Sequence, residues 1–156
     1  MRVLLALGFV LVGLLGCAAD GPQPQLPISP LTIDTASGPV RFRVELASSE
    51  SQHGTGLMYR RSMAQDAGML FDFRRPVFVA FWMKNTILPL DMLFIRADGT
   101  ISTIAANAVP YSTTEIPSAE PVQAVLEINA GRAQALGIEP GDRVHHAIFG
   151  NGPEKH

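Results

Sequence analysis

Val40-Arg41-Phe42-Arg43-Val44-Glu45-Leu46 alternates apolar and polar residues without a break. Val40, Phe42, Val44 and Leu46 fall on one side of an extended chain, and Arg41, Arg43 and Glu45 on the other. That two-residue period is the mark of a strand with one face buried. Just before it, Ala36-Ser37-Gly38-Pro39 is a turn cluster, and Leu31–Thr35 is a second short strand, so the pair predicts a hairpin. Just after it, Ser49 with Gln52 three residues on has the capping-box pattern. A short helix over residues 50–58 is expected there, weakened by Gly54 and Gly56.

The rest of the chain continues as strands. Gly68–Phe73, Val77–Met83 and Leu90–Ile95 are apolar runs rich in aromatic and β-branched residues, the last ended by the turn Asp98-Gly99. Thr100–Ala106 and Val122–Asn129 read as strands around a polar, Pro-bearing loop over 107–120. Ala130–Leu136 is a helical stretch stopped by Gly137, and Arg143–Phe149 is a last strand after the turn Pro140-Gly141-Asp142. Many short strands, no βαβ rhythm and no internal repeat predict a mostly β (β-rich α+β) single domain, a sandwich or barrel with one or two short helices.

The first residues are of a different kind. Arg2 is followed by Val3–Leu15, thirteen residues that are all apolar or glycine. As a helix this is about 20 Å long at ~1.5 Å per residue, short of the ~30 Å of a hydrocarbon core and suited to the apolar region of a signal peptide. Leu14-Leu15-Gly16-Cys17 resembles the lipobox of bacterial lipoproteins, in which the Cys is lipidated and becomes the new N-terminus. The resemblance implies a signal peptide over 1–16, a lipid on Cys17 that holds the protein on a membrane, and a periplasm-facing location. Ala18 after the Cys favours the outer membrane; plain secretion is the alternative. Residues 17–30 then form a Pro-rich tether, residues 31–150 the domain, and residues 151–156 a frayed tail.

Composition excludes several functions. Cys17 is the sole Cys, so no internal disulfide can form and no cysteine is left for catalysis. Loss of the leader removes Arg2, taking Lys+Arg from 12 to 11 against 14 Asp+Glu and the net charge from −2 to −3. No basic stripe is present, which argues against nucleic acid as a partner. No cofactor motif occurs: there is no Walker loop, G-x-G-x-x-G or G-x-S-x-G elbow. His145 and His146 are adjacent on a strand and cannot easily share a metal. The methionines Met58, Met63, Met69, Met83 and Met92 raise Cu(I) chemistry but form no compact cluster; no metal or cofactor is expected.

Phe81-Trp82-Met83-Lys84-Asn85-Thr86 with Pro89-Leu90-Asp91 resembles a block of the DUF192 family. So do Gly56-Leu57-Met58-Tyr59-Arg60, Gly68-Met69-Leu70-Phe71, Leu126-Glu127-Ile128-Asn129-Ala130-Gly131 and Gly141-Asp142. The resemblance covers residues 31–149 and implies a compact, jelly-roll-like β domain. It implies no particular activity.

The candidate site residues follow from strand ends. Lys84 and Asp91 are the charged exceptions in two otherwise apolar runs. If Asn85–Leu90 connects those runs as an antiparallel pair with Met83 opposite Met92, Lys84 stands opposite Asp91 beside Trp82. Three readings stay open: a structural ion pair with Asn85 in the turn, a cleft in which Trp82 is a stacking floor and Met83, Lys84, Asn85 and Asp91 are contacts, or an acid/base pair of Lys84 and Asp91. Met58, Arg60 and Glu127 are further candidates. Glu127 is expected to be solvated, or else to be a second carboxylate in the cleft; Arg60 has either a surface role or a site role, with Asp66, Asp72 and Glu127 as its candidate partners. Three functions compete: a binding or accessory module of the cell envelope, contacting a small ligand, an envelope polymer or a partner protein; an envelope enzyme, such as a glycan hydrolase using Asp91 and Glu127; and a purely structural envelope protein.

Overall fold

A computed structural model describes residues 21–152. The expected signal peptide, the lipid site at Cys17 and the first residues of the tether lie outside the described residues. Among those described, no helix is long and apolar enough to cross a membrane. The chain is mostly β. Strands β1 (Ile28–Thr35) and β2 (Gly38–Ala47) form the expected hairpin, with Thr35 opposite Gly38. Helix α1 (Glu50–Thr55) follows, then β3 (Ala67–Val77), β4 (Ala80–Phe81), β5 (Leu90–Ile95), β6 (Ile101–Ala108), β7 (Ile116–Pro117) and β8 (Val122–Asn129). Helix α2 (Arg132–Ala135), β9 (Arg143–His145) and a 3₁₀ turn over Ala147–Phe149 complete the domain. Seven strands make one curled sheet, a half-barrel in the order β6-β5-β8-β3-β2-β1-β9, and β4 and β7 pair separately.

The central strands β3, β5 and β8 are buried on both faces, and their alternate residues build two cores. Leu70, Leu93, Leu126 and Ile128 join Leu31, Ile33, Phe42 and Val44 in one. Met69, Phe71, Met92, Phe94 and Val125 join Leu57, Met83 and Leu90 in the other. Two apolar faces are why these strands read as continuous apolar runs. Gly68 sets the distance between two of them. A Cβ there would lie 2.7 Å from the Glu127 carbonyl oxygen and 3.1 Å from Ile128 Cγ2. Gly68→Ala is expected to lower stability by about 2 kcal/mol through overpacking, read as a lower urea midpoint; an unchanged midpoint would mean that β3 and β8 can separate freely.

Several expectations are corrected. The strand pair β2–β3 is parallel with α1 as its crossover, so one βαβ unit does exist; a six-residue helix holding Gly54 is too short to show a helical period. The run Val77–Met83 is not a strand pairing with β5. Arg74 adopts φ 64°, the register of β3 against β8 shifts between Asp72 and Val77, and Pro76 donates no ladder hydrogen bond. Val77 ends β3 opposite Val122, and in the rest of the run only Ala80–Phe81 is a strand, paired with β7. The partners of β5 are β6 and β8. The last strand is shorter than expected, ending at His145. The tether does not hang free over its described length. Gln23 Nε2 donates to the Gly56 carbonyl at 2.8 Å, and Leu26 N–H to Glu45 Oε2 at 2.8 Å. At the other end Asn151 does not fray: its Nδ2 donates to the Val144 carbonyl at 3.0 Å.

Candidate functional site

The site is built where α1 meets the second core. Ser49 Oγ accepts from Gln52 N–H at 3.3 Å while Gln52 Oε1 accepts from Ser49 N–H at 3.1 Å, the expected capping box. The helix ends at Gly56, with φ 48° and ψ −131°. A Cβ there would stand 3.1 Å from Phe71 Cζ, so only glycine lets the helix end lie on that ring. His53, one turn earlier, holds the Ala47 carbonyl through Nε2 at 3.0 Å and packs on Phe73 with ring centroids 4.9 Å apart. Phe71 and Phe81 meet edge to face at 5.0 Å, a favourable aromatic geometry.

Three loops close over this wall. Tyr59 (φ 64°), Asn85 (φ 53°) and Tyr111 (φ 62°) are left-handed non-glycine residues. They lock together: Tyr59 N–H donates to the Asn85 carbonyl and Asn85 Nδ2 to Tyr59 Oη, both at 2.8 Å, and Tyr111 N–H donates to the Thr86 carbonyl at 3.2 Å. Met83 N–H donates to the Ser112 carbonyl at 2.8 Å. Backbone in that region costs roughly 1–3 kcal/mol per residue and concentrates at functional sites. The loops leave Trp82 45% exposed, with Val109 and Tyr111 exposed on the neighbouring loop.

Behind Trp82 is a pocket of about 40 Å³, walled by His53, Met58, Phe71, Phe81 and Thr86. Its polar floor is Glu127. This residue stands on β8 between Met69 of β3 and Met92 of β5, directly across from both. It is 4% exposed. Among the described residues no group donates a hydrogen bond to its carboxyl. Burial pushes that carboxyl up to about 8, so at neutral pH it is largely the uncharged acid.

The residues expected from sequence divide accordingly. Trp82, Met58 and Glu127 come together in the pocket, and Asn85 shapes its rim. Lys84 is exposed, with its ammonium 5.0 Å over the Trp82 ring rather than opposite Asp91. Met83 is buried in the second core. Asp91 is elsewhere: it pairs with Ile128 on the other face of the sheet, fully buried, and accepts from Asn107 N–H at 2.9 Å and Ala133 N–H at 3.0 Å. The expected Lys84–Asp91 opposition therefore does not form, because the two runs are not neighbours. Glu127 is not solvated, because the second core covers its face of β8. Asp91 and Glu127 point to opposite faces of one sheet, so they cannot act as paired carboxylates on one substrate. Arg60 meets none of Asp66, Asp72 or Glu127. It makes a two-pronged pair with Glu45 at 2.7 and 2.9 Å. Burial pushes the Glu45 carboxyl up, but the Arg60 hydrogen bonds and the Leu26 N–H outweigh it and hold it below the usual range. A wider cavity of about 280 Å³ lies beside that pair, lined also by Arg43 and Asp66. The sequence reading missed His53, Phe71, Phe81 and Thr86; the last three sit inside motifs it quoted.

Those motifs are the link to known proteins. Residues 32–146 match the family described as DUF192, an uncharacterized ACR. The chain belongs to the DUF192 family. Four of the motif pieces, at 56–60, 68–71, 81–86 and 126–131, each put a residue into the pocket wall or floor of this DUF192 domain. A crystal structure from Sinorhizobium meliloti 1021, described as a candidate transcription regulator, is 54% identical with a TM-score of 0.78, covering 81% of this chain and 98% of that one. A crystal structure of a protein of unknown function from Novosphingobium aromaticivorans DSM 12444 is 45% identical with a TM-score of 0.77, covering 83% of this chain and 94% of that one. No curated protein of known function shows significant similarity.

Proposed function

We propose that this protein is an exported, lipid-anchored binding or accessory module of the cell envelope, which takes a ligand group into the pocket between Trp82 and Glu127. The observation that carries the binding role is Glu127: a carboxyl on a residue only 4% exposed, at the floor of a solvent-reachable pocket, with no hydrogen-bond partner among the described residues. A buried polar group without a partner costs stability. Such a group is retained where a ligand supplies the missing partner. The export and the anchor rest on the leader and the Cys17 motif. The regulator description of the Sinorhizobium relative stays with that protein: here 14 acidic residues outnumber 12 basic ones, a balance unsuited to a phosphate backbone. We assign no reaction, since the one carboxylate pair suggested by sequence is split across the sheet.

Trp82 is the sole tryptophan, so its emission reports directly on the pocket mouth. Soluble envelope fractions are expected to shift that emission in the wild type and at least tenfold less in Glu127→Gln. Fractions that leave Trp82 emission unchanged at every stage of purification would sink the reading. For the anchor, labelling with a palmitate analogue should reach the wild type and not Cys17→Ser; equal labelling of both would reduce the claim to secretion.

A further inference from the structure

We infer that the group this pocket takes is a slender primary ammonium, the end of an alkylamine, held against the Glu127 carboxylate and the aromatic wall. The inference rests on the binding role proposed above and names its ligand class.

The charge argument comes first. A pocket built to hydrogen-bond a neutral ligand needs a donor and an acceptor, which a glutamine supplies without titrating. What Glu127 adds is the ability to become an anion, and only a cation makes that favourable in a buried site. The walls agree in sign. His53, Phe71, Phe81 and Trp82 line it, and aromatic rings attract cations over their faces. One such contact already exists, with the Lys84 ammonium 5.0 Å over Trp82. Lys84 is not itself the occupant, since it makes no ion pair with Glu127 among the described residues. An anionic ligand would meet the Glu127 carboxyl with no lysine or arginine on the pocket wall and with His53 as its one basic neighbour there.

Size and hydrogen bonding narrow the class. A volume of about 40 Å³ holds about three water-sized groups at ~10–15 Å³ each. That accepts the last two carbons and the nitrogen of an alkylamine and rejects a trimethylammonium head. A primary ammonium has three N–H donors. Glu127 accepts one or two, and Thr86 Oγ1 keeps lone pairs free after donating to the Lys84 carbonyl at 3.1 Å. As the cation enters at neutral pH, Glu127 gives its proton to solvent, so one ligand bound releases up to one proton.

The sign of the pH dependence separates this ligand from a neutral one. The other titratable or charged groups around the pocket are His53 on its wall, Lys84 on the Trp82 ring, and the Glu45–Arg60 pair two strands away in the same cross-sheet row. The probes are n-butylammonium, its neutral counterpart 1-butanol, butyrate and tetramethylammonium, followed on the full chain by Trp82 emission and NMR. With the Glu127 carboxyl near 8, n-butylammonium is expected to bind about a hundredfold more tightly at pH 9 than at pH 6; alkylamines stay protonated up to about pH 10. Glu127→Gln should abolish that gain, His53→Gln should keep it, and butyrate and tetramethylammonium should not bind. If 1-butanol binds as well as n-butylammonium, or if amine affinity falls as pH rises, the ammonium class is overturned while the pocket remains a binding site. If n-butylammonium does not bind at about 100 mM and pH 9, well above the millimolar affinity expected of so few atoms, the inference is likewise overturned; the envelope-fraction experiment judges the wider reading separately.

Discussion

Glu127→Gln is expected to make the protein more stable at pH 7 by about 3 kcal/mol while leaving it nearly unchanged at pH 4. The direction follows from linkage. The folded-state carboxyl titrates at about 8 against an ordinary 4.5, so the native state keeps a proton that the unfolded chain releases. Stability contributed by this group is complete below pH 4.5 and is lost as pH rises toward 8, after which both states are ionised and the loss stops. Each unit is worth about 1.4 kcal/mol, and the roughly 2.5 units between the ordinary value and pH 7 give the figure. Glutamine has the same shape and does not titrate. Urea unfolding of both proteins at pH 4 and pH 7 checks this: a gain of equal size at the two pH values would mean that Glu127 is ionised or partnered in the folded protein. A residue that weakens the fold at neutral pH where an isostere would not is what a ligand site looks like before the ligand arrives.

Asp91→Ala is expected to cost about 4 kcal/mol, the largest loss we predict. Its two carboxyl oxygens each hold a backbone N–H, from Asn107 and from Ala133. Asn107 is left-handed at φ 55°. Ala133 lies in the first turn of α2, whose own cap residue, Gly131, has no side chain to satisfy it. Removing the carboxylate orphans both donors in a buried place, at about 1–3 kcal/mol each, and leaves a void. Chemical denaturation should show the loss, and hydrogen exchange should show α2 and the end of β6 opening first. A loss below about 1 kcal/mol would mean that water replaces the carboxylate there. The same result separates Asp91 from the pocket: ligand-dependent Trp82 signals should survive in whatever fraction remains folded.

The elements that were legible in the sequence are those with a marked face. Val40–Leu46 has one apolar side and one polar side, and it forms β2 paired with β1 as expected. Val122–Asn129 is β8, and the Ser49–Gln52 box starts α1. What could not be read is pairing between runs that are apolar on both faces. Nothing in Leu90–Ile95 says that its neighbours are β6 and β8 rather than the run before it, because a run without a polar side carries no register. The error at Lys84 and Asp91 follows from that one wrong neighbour. Glu127 was misplaced for a related reason. Gln123, Glu127 and Asn129 on one side of a strand suggest a wet face, yet the second core, which holds Val125, covers the middle of that side. Trp82, Met58 and Glu127 were all singled out, but their convergence depends on the parallel β2–β3 crossover, which a glycine-weakened helix of one and a half turns conceals.

The most direct measurement is the NMR titration of the Glu127 side-chain carboxyl carbon in the ligand-free protein. The account predicts a midpoint near 8, moving toward the ordinary carboxylate range when n-butylammonium is present. A midpoint near 4.5 without any ligand would show that the protein already partners this group, and would contradict the account.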